Sequence, residues 1–112
     1  MALVTDALAA PPPGADPNSP IARWIRTLTA PDGRLCCSSW DCRRTALQFN
    51  DDGTRWAWIG KDQFGPNAPD DWRQISERVW LETKADGDPP DGRAYVCFWG
   101  GEVKCARSAS GL

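Results

Sequence analysis

Arg93-Ala94-Tyr95-Val96-Cys97-Phe98-Trp99-Gly100-Gly101-Glu102-Val103-Lys104-Cys105-Ala106 is the stretch from which the fold follows. Its first half is rich in aromatic and β-branched residues, which suit a half-buried pleated surface. Gly100-Gly101 can hold the backbone of a two-residue hairpin turn, so residues 102–106 return as a second strand. In that register Trp99 faces Glu102, Phe98 faces Val103 and Cys97 faces Lys104. Cys105 then stands opposite Val96, on the other face of the sheet from Cys97. The two thiols are not expected to bond to each other, although a three-residue loop would set them opposite and relax that conclusion.

The partners for these thiols lie far upstream, in Cys36-Cys37-Ser38-Ser39-Trp40-Asp41-Cys42. Adjacent cysteines in extended chain point different ways, as the hairpin cysteines do. The favoured arrangement is two long-range disulfides joining Cys36 and Cys37 to Cys97 and Cys105, with Cys42 unpaired or bonded to another chain. A competing arrangement bonds Cys42 to Cys36 or Cys37 and ties a second bond to the final hairpin. Each long-range link closes a loop of about sixty residues and contributes roughly 4 kcal/mol.

The same cysteines could ligate zinc or an iron–sulfur cluster through Cys36, Cys37, Cys42 and Cys97 or Cys105. Neighbouring cysteines are a poor ligand pair for one ion, however, and no Cys-x2-Cys knuckle occurs. No metal or cofactor is therefore expected. The missing Cys-x-x-Cys motif also argues against a thiol oxidoreductase.

Composition narrows the function by exclusion. A chain of 112 residues is one domain, and seven Trp supply a core of a few large rings. Thirteen basic residues, scattered among fifteen acidic ones, give a net charge of -2 and no concentrated positive face for nucleic acid. The chain has no His, the side chain best suited to proton shuttling near neutrality. No apolar run has membrane-spanning length, so no membrane partner is expected. Five cysteines favour an oxidising, extracytoplasmic or virion setting. No secretory signal is evident in residues 1–10, where Asp6 interrupts the apolar residues.

Along the chain, the Pro/Ala-rich residues 1–17 read as a flexible arm, 18–107 as the compact domain and 108–112 as a tail. Asn18 or Ser19 can cap a helix with Pro20 in its first turn. Ile21, Trp24, Ile25 and Leu28 form its apolar stripe, and Pro31 ends it. Thr45, Leu47 and Phe49 alternate, Asn50-Asp51-Asp52-Gly53 turns, and residues 54–59 return as a strand whose Trp56 and Trp58 are expected to pack against the helix. Phe64 anchors a polar excursion. Residues 72–75 and 79–81 read as short strands around a turn at Ser76-Glu77-Arg78, with a short helix as the alternative reading. Residues 85–92 form a loop.

Other chemistry has weaker support. Ser38, Ser39 and Asp41 lack a histidine base, so they are read as turn residues or as caps of a short helix from Ser39 through Cys42. Asp51, Asp52, Asp70, Asp71, Asp86, Asp88 and Asp91 sit at loop tips. Of these, only the Asp86-x-Asp88-x-x-Asp91 loop is a candidate for calcium. Seven tryptophans exceed what so small a domain buries easily. Trp24, Trp56 and Trp58 are assigned to the core and Trp40 to shielding a disulfide. Trp99, at the lip of the glycine turn, is the leading exposed contact, accompanied by Trp72 or Trp80.

The succession Trp24-Ile25-Arg26, Pro31-Asp32-Gly33, Cys36-Cys37, Asp41-Cys42-Arg43, Trp56, the Trp72 segment, Gly92-Arg93-Ala94-Tyr95-Val96-Cys97 and Cys105 resembles small uncharacterised cysteine-rich proteins of α-proteobacteria and their phages. The paired cysteines followed by Asp-Cys-Arg are its most specific part. The resemblance covers residues 21–106 and implies export and disulfides, and a phage source would imply a virion-surface or decoration role. It brings no activity with it.

The resulting expectation is a disulfide-stabilised α+β domain with an N-terminal helix packed on a small antiparallel sheet. It would act as a non-enzymatic structural or recognition module with a protein partner, as a homo-oligomer or in a virion assembly. The alternative is a thiolate metal-binding protein or a small cysteine-dependent enzyme.

Overall fold

The computed structural model describes residues 16–36 and 41–109. The expected arm lies outside these residues except for Asp16 and Pro17, and the expected tail except for Ser108 and Ala109. Both arm residues are tied to the domain: Ser19 N–H donates to the Asp16 carbonyl at 3.0 Å and the Arg26 guanidinium to that of Pro17 at 2.9 Å.

The chain is a small α+β domain. Its elements are α1 (Pro20–Ile25), β1 (Cys42–Arg44), β2 (Leu47–Phe49), β3 (Arg55–Ile59), α2 (Lys61–Phe64), β4 (Asp71–Ile75), α3 (Glu77–Glu82), β5 (Tyr95–Trp99) and β6 (Glu102–Arg107). Two antiparallel three-stranded sheets result, ordered β1-β5-β6 and β2-β3-β4.

Helix α1 begins where its sequence directs. The Ser19 hydroxyl accepts from Ala22 N–H at 3.1 Å, and Pro20 occupies the first turn, where its missing N–H costs nothing. The helix proper ends at Ile25, but further turns carry Leu28 into the core beside Trp24 and Ile25.

The first sheet separates two cores because β5 alternates. Tyr95 and Cys97 join Trp24, Ile25, Leu28, Cys36, Cys42 and Cys105 on the helix side. Val96 joins Ala57, Ile59, Ile75, Val103 and Ala106 on the side of the second sheet. Thr83, at the end of α3, joins this second packing to β6: its hydroxyl donates to the Val79 carbonyl at 2.7 Å and accepts from Ala106 N–H at 3.2 Å. A buried hydroxyl satisfied in both directions adds little desolvation cost.

The final hairpin corrects the expected register. Gly100 and Gly101 take φ of 64° and 82°, the left-handed region that a two-residue turn requires. Trp99 faces Glu102 and Phe98 faces Val103, as expected, but the register then shifts and Cys97 pairs with Cys105 rather than with Lys104. Lys104 is thus the extra residue of a β-bulge. Val103 and Cys105 would share a face in an uninterrupted strand, whereas here they enter opposite cores.

Three further expectations change. Residues 77–82 form a helix, not a turn and a strand, because the Ser76 hydroxyl accepts from Val79 N–H at 3.1 Å and caps it. Trp56 and Trp58 do not pack against α1. The fully buried residues of β3 are Ala57 and Ile59, so the indoles occupy the other face, where Trp58 meets Trp72 edge-on at 5.5 Å. Cys42 opens a β-strand rather than ending a helix. The Trp72 strand, the 47–59 hairpin and the 85–92 loop stand as expected.

Candidate functional site

The site is built on the two disulfides, Cys36–Cys105 and Cys42–Cys97. Three of the four cysteines expected in disulfides are therefore bonded: Cys97 and Cys105 to the upstream segment, and Cys36, within that segment, to Cys105. Cys42 is not the unpaired cysteine. It bonds Cys97, and Cys37, expected to be bonded, lies outside the described residues.

The reason is sheet register. Strand β1 pairs with β5 so that Cys42 faces Cys97 directly. Phe98 N–H donates to the Asp41 carbonyl and Thr45 N–H to that of Ala94, which makes the Cys42/Cys97 position a non-hydrogen-bonded pair. Side chains approach most closely at such a pair, and a bond forms across the strands. Cys105, opposite Cys97 on the other flank, is left for Cys36. The Cys36 chain is held in place by its own N–H, which donates to the Leu28 carbonyl at 2.9 Å.

Trp99 closes this cluster from outside. Its indole N–H donates to the Cys36 carbonyl at 3.0 Å, and the Lys104 ammonium lies 4.7 Å from the ring centroid while also pairing with Glu102 at 3.2 Å. The residue nevertheless stays 47% exposed. Leu35, adjacent to Cys36 in the chain, is also exposed. Trp99 is thus an aromatic surface whose orientation is fixed by one disulfide residue and by the neighbour of another.

The other expected contacts are placed elsewhere. Trp72 is at the margin of exposure against Trp58. Trp80 is half-buried on α3, edge-on to Phe49 at 5.5 Å with the Arg55 guanidinium 5.1 Å from its ring centroid. Phe49, beside Trp80, and Leu81 are exposed as well, although the sequence does not single them out as contacts. Phe49 borders a groove of about 420 Å³ whose lining includes Thr45, Leu47, Ala94 and Ser108. In the sequence its signal is a large ring at Phe49, at the end of the Thr45, Leu47, Phe49 alternation and next to the Asn50-Asp51-Asp52-Gly53 turn.

Several loop carboxylates are engaged by backbone N–H groups and side chains of the chain itself. Asp70 accepts from Lys61 N–H at 2.7 Å and from its ammonium at 3.2 Å, which together hold its carboxyl below the usual range. The Thr54 hydroxyl and N–H do the same for Asp52. In the loop proposed for calcium, Asp91 takes the Tyr95 hydroxyl at 2.7 Å and Arg93 N–H at 3.0 Å, while Asp88 lies 3.8 Å from Arg107. Ser38, Ser39 and Trp40 lie outside the described residues.

Tyr95 gives a pH test of the helix-side core. Burial raises its pKa first, and the hydrogen bond to Asp91 and that carboxylate's charge raise it further. The unfolded chain therefore loses this proton before the folded one does. The stability contributed by a neutral Tyr95 is complete below about pH 10 and falls above it, by at most about 1.4 kcal/mol per pH unit. The stability difference between the wild type and Tyr95→Phe, from urea melts with thiols blocked, should shrink with that slope. A difference independent of pH would show that the hydroxyl ionises equally in both states.

Compared with family models, with curated proteins and with solved structures, the chain matches none.

Proposed function

We propose that this domain is a non-enzymatic recognition module that binds another protein through a rigid aromatic surface centred on Trp99. The observation that carries the reading is the combination at that residue of exposure with fixation. An indole hydrogen-bonded to Cys36 and covered on one side by Lys104 has little rotamer freedom left to lose on binding. Aromatic side chains set in this way are the usual anchors of protein interfaces. Disulfides at the base of the surface keep it in one shape. A virion-surface or decoration component is the finer form of this reading, with the resemblance to phage-associated proteins as its support, and a second copy of the chain is the other partner class.

The test compares wild type, Trp99→Phe and Trp99→Ala as immobilised oxidised proteins, first confirming equal cooperative melting. Loss of an anchor ring should cost about 2 kcal/mol or more of binding, roughly a thirtyfold drop in affinity for a captured partner, with Phe intermediate. Equal capture by wild type and Trp99→Ala would remove Trp99 from the interface and this reading with it.

A further inference from the structure

Cys42, Cys97 and Cys105 lie in one row across β1, β5 and β6, each directly opposite the next. Cys36 reaches the same row from the loop that follows α1. The Sγ atoms of Cys36, Cys97 and Cys105 all lie within 4.8 Å of one another, and the Cys42 sulfur is bonded to that of Cys97. All four residues are 2% exposed or less. Three sulfurs thus cluster at one buried point, and the fourth, that of Cys42, is one bond away from that of Cys97.

We infer that this cluster is a two-state sulfur site, which is a pair of disulfides when oxidised and, when reduced, a tetrathiolate that binds one zinc-class divalent cation. Zinc bound by four thiolates at about 2.3 Å sets its ligand sulfurs roughly 3.8 Å apart, inside the 4.8 Å within which those of Cys36, Cys97 and Cys105 already lie, and Cys42 must swing in from its bond to Cys97 to complete the set. The separation needed comes from parting the two bonded pairs, while the strands keep the side chains on one face. The objection raised by neighbouring cysteines disappears, because the set takes Cys36 and omits Cys37. Reduction adds two electrons and two protons to each disulfide, from a dithiol that leaves as its own disulfide. The four thiols then release four protons as the dication enters, which leaves a site of charge −2 whose affinity falls with decreasing pH. Metal in the reduced chain would tie together the same four segments that the disulfides tie in the oxidised one. This inference stands independently of the recognition reading.

The test uses the full chain, reduced with a dithiol, desalted without oxygen and titrated with cobalt(II) as a spectroscopic probe. One equivalent should give the intense visible bands of tetrahedral cobalt with thiolate-to-cobalt charge transfer, and zinc should abolish them. Cys37→Ser should keep the full spectrum. Cys42→Ser should lose about a quarter of the charge-transfer intensity, one thiolate in four. The oxidised chain should give neither band. Failure of the reduced wild type to form the tetrahedral spectrum would overturn the inference, as would loss of intensity in Cys37→Ser instead of Cys42→Ser. The same cobalt bands in the oxidised chain would do the same.

Discussion

Removing either disulfide alone is expected to destabilise the domain by about 3 kcal/mol, and removing both by about 7, so that the losses are not additive. The reason is that the two links are nested. Cys42–Cys97 spans 55 residues and Cys36–Cys105 spans 69, so once one is closed the other constrains only the difference of 14. The first closure acts on a long loop and is worth about 4 kcal/mol, while the second acts on a short one and is worth about 3. Urea midpoints of C36A/C105A and C42A/C97A, with the fourfold variant measured in a stabilising osmolyte alongside them, give all three values. Equal loss in each single pair with a larger combined loss supports the nesting, whereas simple addition would show that the links act on separate loops. A combined loss of this size is comparable to the whole stability of a small domain. Reduction without metal should therefore unfold it. Thiol counting under denaturing, non-reducing conditions should find one reactive thiol per chain, or none where two chains are joined through it, because the two bonds use four of the five cysteines.

The unequal legibility of the sequence has physical causes. Helix α1 could be read because its cap, its proline and its apolar spacing all agree, and local signals of that kind need no knowledge of the rest of the fold. The final hairpin could be read for the same reason up to Val103. The bulge at Lys104 could not, since no glycine or proline marks it, and a one-residue shift moves every later side chain to the opposite face. The pairing of Cys42 was lost with it, because the assignment rested on Cys97 and Cys105 facing apart. The placement of Trp56 and Trp58 departs from expectation for a different physical reason. Ring size suggested burial, but the two sheets meet through Ala57, Ile59, Val96 and Ala106, and the indoles are placed outside. For α3, six residues are too few for periodicity to separate a helix from a strand, and the Ser76 cap decided the outcome. The site was half legible: the position of Trp99 beside the glycine turn indicated exposure, but its bond to the Cys36 carbonyl depends on long-range register.

Trp24→Ala should cost about 4 kcal/mol, within the usual range for emptying a buried ring site. Trp24 is only 5% exposed and meets Tyr95 edge-on at 5.5 Å, at the point where α1 covers the disulfide cluster. Its indole N–H also donates to the Gly87 carbonyl at 3.0 Å, which ties the 85–92 loop to the helix across 63 residues. Trp24→Phe separates the two roles. It keeps most of the apolar ring but leaves the Gly87 carbonyl to water, so the loss should be about 1–2 kcal/mol from the hydrogen bond and the smaller ring. Amide exchange in the 85–92 loop should then quicken in Trp24→Phe while β5 and β6 remain protected. If both variants lost the same stability, the hydrogen bond would dominate over packing. If Trp24→Ala lost less than about 1 kcal/mol, the helix could not be a structural cover of the sulfur core, since a cavity of that size against Tyr95 cannot close without moving the strand that carries Cys97.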